Sequence, residues 1–288
     1  MSAPVLAQYD PERPQLGPLR FAATVAAVMA APLVIGAAYA GEDVVDPLAD
    51  VQMGKGLPRN DPRPALAAVV RELGIDGERV DTAALGATSA PRALHLAAVE
   101  LGAGLLVVPP GTTAERLLDG APCAVAVVPT ETGDEDDDDG EDDAEPGVAF
   151  AAIGVGLVET PEAGAAARAA ELLARRAGAR LRVLCAVRPG NADLHRRAEE
   201  SAGAVLPAEP GVRIDIDVDD RDPRDLLVAA SSEVDVLVCG SRCYGPHPAT
   251  IRGGVTRRVT AEAACPVIVT ARSPEVRFEE LVGDWAAV

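Results

Sequence analysis

Eleven of the chain's 45 acidic residues lie between positions 131 and 145, with no basic residue among them. Like charges at this density repel one another and the run has nothing to bury, so it reads as a disordered linker. It cuts the 288-residue chain into two stretches, each long enough to enclose its own core. A calcium loop is the competing use of such acids. Counted back from Gly140, its first ligand falls on Glu135 and its twelfth position on Pro146, where an EF-hand places Asp and Glu. Weak, nonspecific cation association suits the run better.

Both stretches alternate short apolar runs with helical patterns. Hydrophobic residues make up 48% of the chain and aromatics only 2%, so the cores are built from Ala, Val and Leu, as in parallel strands buried on both faces. In the first stretch, strands are predicted over residues 5–10, 33–39, 79–85, 104–108 and 124–128. Helices fall between them over 17–31, 65–73, 89–101 and 114–118, with Ser89 as the N-cap of the third. The second stretch repeats the order. Its strands lie over 150–158, 181–187, 212–218 and 234–239 and in the run after Pro266, and its helices over 161–177, 192–204, 223–231 and 255–264. Arg213, Asp215 and Asp217 alternate with apolar neighbours, which marks a strand with one wet face at a sheet edge. Phe278, Leu281, Val282 and Trp285 fall at helical spacing and predict a C-terminal amphipathic helix.

One stretch near the start imitates a signal peptide: Arg20, an apolar run over 21–36, then Ala38-Tyr39-Ala40. Asp10 and Glu12 spoil the basic leader that such a peptide needs, and Pro32 splits the apolar run. A strand–helix–strand unit is the better reading, and export stays an alternative. No dense basic face exists for nucleic acid, and no run is apolar enough for a clear membrane span. The five cysteines are odd in number and scattered, which fits buried reduced thiols in the cytoplasm.

The chemistry concentrates in Cys239-Gly240-Ser241-Arg242-Cys243-Tyr244-Gly245-Pro246, continuing to Gly253-Gly254-Val255-Thr256. A Gly-rich loop here joins a buried strand to a helix N-terminus, where backbone N–H groups and the positive helix end collect a phosphate. Cys239, Cys243 and His247 invite a zinc reading, but no fourth ligand is evident. His95, His195 and His247 have no partners placed for a catalytic triad. No nucleophile elbow or Lys-bearing phosphate loop occurs, so the chain reads as no enzyme.

The spacing of Gly240, position 243, Gly253 and Gly254, followed by Arg257-Arg258-Val259 and Ala264-Cys265-Pro266-Val267-Ile268-Val269, resembles the closing segment of the universal stress protein family. That loop reads Gly, two residues, Gly, nine residues, Gly, then Ser or Thr. Here the second glycine is Cys243 and the hydroxyl position is Gly254. The resemblance covers nearly the whole chain as two tandem domains, at residues 1–130 and 148–272. The acidic linker lies between them at 131–147 and a tail helix follows at 273–288. It implies an α/β fold of two tandem open, doubly wound five-stranded parallel sheets in the order 3-2-1-4-5, with helices on both faces and the domains paired through their fifth strands. A homodimer is compatible with it.

In nucleotide-binding members of the family, an Asp at the end of the first strand contacts the adenosine and the Gly-rich loop holds the phosphates. The resemblance places that acid at Asp10 in the first half, where only Gly111-Thr112 survives of the loop. In the second half the loop is full-length, and Val158 takes the place of the acid. The expectation is a cytoplasmic, non-enzymatic stress-response protein with weak or absent adenine-nucleotide binding. No cofactor is required, and ATP, phosphate or sulfate is held weakly at most. The alternative is an ATP-binding, slowly hydrolysing switch.

Overall fold

The computed structural model describes residues 2–40, 60–75, 80–130, 150–158, 161–187, 192–206, 212–240 and 254–270. The acidic linker, the tail helix and the body of the Gly-rich loop, including Ser241, Arg242, Cys243 and Gly253, lie outside the described residues.

In the first half, β1 (Val5–Gln8), α1 (Leu16–Met29) and β2 (Leu33–Tyr39) are followed by α2 (Arg63–Glu72) and β3 (Val80–Gly86). Then come α3 (Ala90–Leu101), β4 (Leu105–Val108), α4 (Thr112–Leu118) and β5 (Ala124–Val127). The second half repeats the pattern with β6 (Ala152–Gly156), α5 (Pro161–Ala177), β7 (Arg180–Ala186), α6 (Ala192–Val205) and β8 (Ile214–Asp219). It closes with α7 (Pro223–Ala230), β9 (Val236–Gly240), α8 (Val255–Glu262) and β10 (Val267–Thr270). The segment that imitated a signal peptide is α1 plus β2, a helix with one buried face and a buried strand. Among the described residues no helix is long and apolar enough to cross a membrane.

Each half has the strand order 3-2-1-4-5, with parallel pairing throughout. The two five-stranded sheets meet through their fifth strands, as the resemblance implies. They form a single ten-stranded sheet in the order β3-β2-β1-β4-β5-β10-β9-β6-β7-β8. The junction is antiparallel, with Val267 opposite Val127, Ile268 opposite Ala126 and Val269 opposite Val125. The reason is elementary: a buried strand at a sheet edge leaves backbone N–H and C=O groups unpaired, and a second such edge satisfies both. The alternating acidic strand β8 lies at the outer edge of the second half.

Helices α1, α2, α5 and α6 cover one face, over a core that runs through both halves and includes Leu19, Val25, Ile35, Ile153, Leu173 and Leu181. Across the junction on this face α1 packs near α5, and the rings of Phe21 and Phe150 lie 6.1 Å apart, tilted by 53°. Helices α3, α4, α7 and α8 cover the opposite face, where Arg257 of α8 meets Glu115 of α4 at 2.9 Å. Ser89 stands at the N-cap of α3 with an extended backbone, but its hydroxyl makes no capping bond.

Candidate functional site

A doubly wound sheet opens a crevice where the strand order reverses, at the C-terminal ends of its first and fourth strands. The molecule has two such points, between β1 and β4 and between β6 and β9. Strand register shows which residues correspond. Gln8 lies opposite Gly36, and the next residue, Tyr9, donates its N–H to the Gly36 carbonyl at 2.9 Å. Gly156 lies opposite Leu184, and Leu157 donates to the Leu184 carbonyl at 2.9 Å. Tyr9 and Leu157 therefore match, and one residue further Asp10 matches Val158.

In the first half the acid is present and turned into a local bond. Asp10 Oδ1 accepts the Glu12 N–H at 3.0 Å, and the Asp10 carbonyl accepts from Arg13 at 3.1 Å. Across the crevice β4 ends at Val108, and only Pro109, Pro110 and Gly111 precede α4. The two prolines have no N–H to offer a phosphate. Gly111 takes φ +132°, a conformation closed to other residues, so this glycine serves the tight turn into Thr112. The helix behind it is short, ending at Leu118.

In the second half the loop is long and the acid is gone. Residues 241–254 separate β9 from α8. Gly254 stands at the N-cap of α8 in an extended conformation, φ −142°, and makes no side-chain capping bond. Val255 is exposed at the first position, and Thr256 Oγ1 donates to the Gly240 carbonyl at 3.3 Å. That hydroxyl pins the helix start to the strand end. Val158 is 49% exposed at the mouth of the crevice, an apolar side chain where an acid would project. Gly240 has a packing reason for its identity, since a Cβ there would come within 2.4 Å of the Glu162 carbonyl oxygen in the first turn of α5. Glu162 Oε2 is itself buried and has no hydrogen-bond partner among the described residues.

Cys239 faces the core, and burial, reinforced by the neighbouring Cys265, pushes its thiol up to about 12. Burial pushes the thiols of Cys123 and Cys265 up to about 12 as well, and that of Cys185 to about 11. These groups stay protonated at neutral pH and are neither nucleophiles nor ready metal ligands. Cys243 and His247 of the zinc reading lie outside the described residues. Among the described residues no cluster of His, Cys, Asp and Glu is placed to hold a metal.

Sequence reasoning missed a charged cavity of about 460 Å³ beside the edge strand β8, lined by Arg182, His195, Asp217, Arg221 and Glu233 among others. Its charges satisfy one another: Arg182 reaches Asp217 at 2.8 Å and Glu233 at 2.6 Å, and Arg221 reaches Asp219 at 2.7 Å. A single Arg inside the apolar run of β7, opposite an acidic alternation, was the available signal. Asp235 was also missed. Its Oδ2 accepts the N–H groups of Ala151 at 2.6 Å and Ala152 at 2.8 Å, clamping the start of β6.

The strand order and the two switch-point crevices define a tandem doubly wound α/β module. Residues 150–271 match the family model described as "Universal stress protein family". A universal stress protein from Archaeoglobus fulgidus DSM 4304 aligns at 13% identity, covering 95% of this chain and 100% of its own, with a TM-score of 0.62. A putative universal stress protein from Pseudomonas aeruginosa UCBPP-PA14 aligns at 18% identity, covering 93% of each chain, with a TM-score of 0.61. The cytoplasmic domain of a prokaryotic cation chloride cotransporter aligns at 12% identity over 94% of this chain and 96% of its own, with a TM-score of 0.50. At these identities the likeness establishes the fold of the whole chain, first half included. No curated protein sequence matches the chain.

Proposed function

We propose that this chain is a cytoplasmic, non-enzymatic stress-response module whose adenine-nucleotide binding is weak or lost. The observation that carries this reading is the division of the family's nucleotide site between the halves. Asp10 lies across from a Pro-Pro-Gly connection that offers few amides, while β9, which leads into the longer loop sequence, pairs with β6, and Val158 follows β6 in the acid's place.

The energetic consequence is large. A charged hydrogen bond lost at Val158 costs about 1.5–3 kcal/mol. Cys243 at a glycine position adds about 1–2 kcal/mol where the loop needs a left-handed backbone. Thr256, which could have replaced the hydroxyl missing at Gly254, is bonded to the Gly240 carbonyl. Even half of the summed loss weakens ATP binding by roughly tenfold or more. The amides at the start of α8 still favour a lone phosphate or sulfate.

Calorimetric titration of the purified chain with ATP tests the reading, with no saturation expected in the low-micromolar range. Val158→Asp combined with Cys243→Gly is expected to raise ATP affinity about tenfold or more. Low-micromolar affinity in the unaltered chain would overturn the reading in favour of an ATP-dependent switch.

A further inference from the structure

Helix α3 carries an apolar stripe that nothing among the described residues covers. Its inner face seats Ala93, Leu94, Ala97 and Ala98 in the core, yet Leu96 is 50% exposed and Val99 58% exposed. These two are the most exposed large apolar side chains among the described residues. Arg92 and Glu100 are exposed as well, one turn before Leu96 and one turn after it. The two charges stand about 12 Å apart along the axis, too far to pair with each other. Neither forms an ion pair among the described residues.

We propose that the row Arg92–Leu96–Glu100 is a self-complementary surface on which α3 docks against α3 of a second copy of this chain, about a twofold axis at Leu96. The row reads basic, apolar, acidic in one direction. Turned end for end it reads acidic, apolar, basic, so Arg92 of each copy meets Glu100 of the other. Packing of i, i+4 rows alongside one another is the commonest helix-crossing geometry in globular proteins and brings these two rows together. The interface is isologous, with one patch serving both copies. The apolar strand edges that could otherwise pair between copies are already joined within the chain, β5 to β10.

One helix of this length presents a stripe only about 18 Å long. That falls short of the roughly 1,000 Å² a stable interface buries, so the pairing is weak and depends on concentration. Sedimentation equilibrium of the full chain from about 5 to about 500 µM is the direct measurement, and the average mass is expected to rise toward twice the monomer mass. Leu96→Glu is expected to abolish the rise. Arg92→Glu and Glu100→Arg are each expected to weaken pairing tenfold or more, because each sets like charges against one another. A one-to-one mixture of these two variants is expected to associate again, since unlike charges then oppose at both ends of the row. All three positions are exposed, and unchanged circular dichroism in dilute solution checks that the variants fold. A chain monomeric at every concentration overturns the proposal. So does a dimer indifferent to both charge reversals, whose contact lies elsewhere, and so does a monomer that Leu96→Glu destabilises, whose own residues cover the stripe.

Discussion

Ala30 and Gly240 show how backbone geometry sets the value of a single residue. Ala30 ends α1 at φ 50° and is the one non-glycine residue with positive φ among the described residues. The left-handed conformation costs an L-residue about 1–2 kcal/mol, and glycine gives back part of that saving through its freer unfolded chain. Ala30→Gly, at an exposed position, is therefore expected to stabilise by about 0.5–1 kcal/mol in thermal denaturation. Gly240→Ala goes the other way, because the added methyl meets backbone rather than a side chain that could swing aside. It should cost about 2–3 kcal/mol, a drop of several degrees in Tm. Gly203→Ala, whose methyl meets open space in α6, serves as the control and should be neutral or stabilising. The sequence singles out Gly240 by its place at the end of a buried strand, ahead of a Gly-rich stretch. The close approach of α5 was not legible, because a contact between Gly240 and Glu162 depends on how two distant elements pack.

Apolar strands and their helices could be read from the sequence because burial on both faces leaves continuous runs of Val, Leu and Ala. Charged contacts between elements could not. Arg182 of β7 reaches Asp217 on β8 and Glu233 beyond α7, partners 35 and 51 residues away. The hydrogen bond from Arg182, and next its charge, hold the Glu233 carboxyl below the usual glutamate value. Arg221 does the same for Asp219, again first by its side-chain hydrogen bond. A carboxyl depressed in the folded state contributes stability that is present above its unfolded pKa and lost as pH falls through the folded one. Arg182→Met leaves Asp217 and Glu233 without their cation, so the variant should melt lower than the parent at pH 7 and at pH 5. The gap should narrow as pH falls below the usual glutamate value of about 4 and Glu233 takes up its proton. A gap that stays constant down to pH 3 would mean that Arg182 acts through packing alone.

At the scale of the molecule the decisive contact is the antiparallel junction of β5 and β10, which makes one sheet of two. Ala126 and Ile268 face one another there fully buried, and Val125 and Val269 are each 1% exposed. On one face Phe21 and Phe150 add a ring contact, and on the other Arg257 meets Glu115. Either half alone would expose a flat, apolar edge strand with no charged residue in it, a template for pairing with any other such edge. Residues 1–130 and 148–272 produced separately should therefore be less soluble than the whole chain and should self-associate in light scattering. Mixed in equal amounts, they should recover a single one-to-one species, because the native partner edge also supplies the helix contacts on both faces. Within the intact chain, Ile268→Ala should cost about 2–4 kcal/mol, since it opens a cavity in a core that both halves share. If the second half alone stays a stable monomer in dilute solution, the junction is dispensable, and the sheet's continuity would follow from tethering the halves rather than from a need to cover their edges.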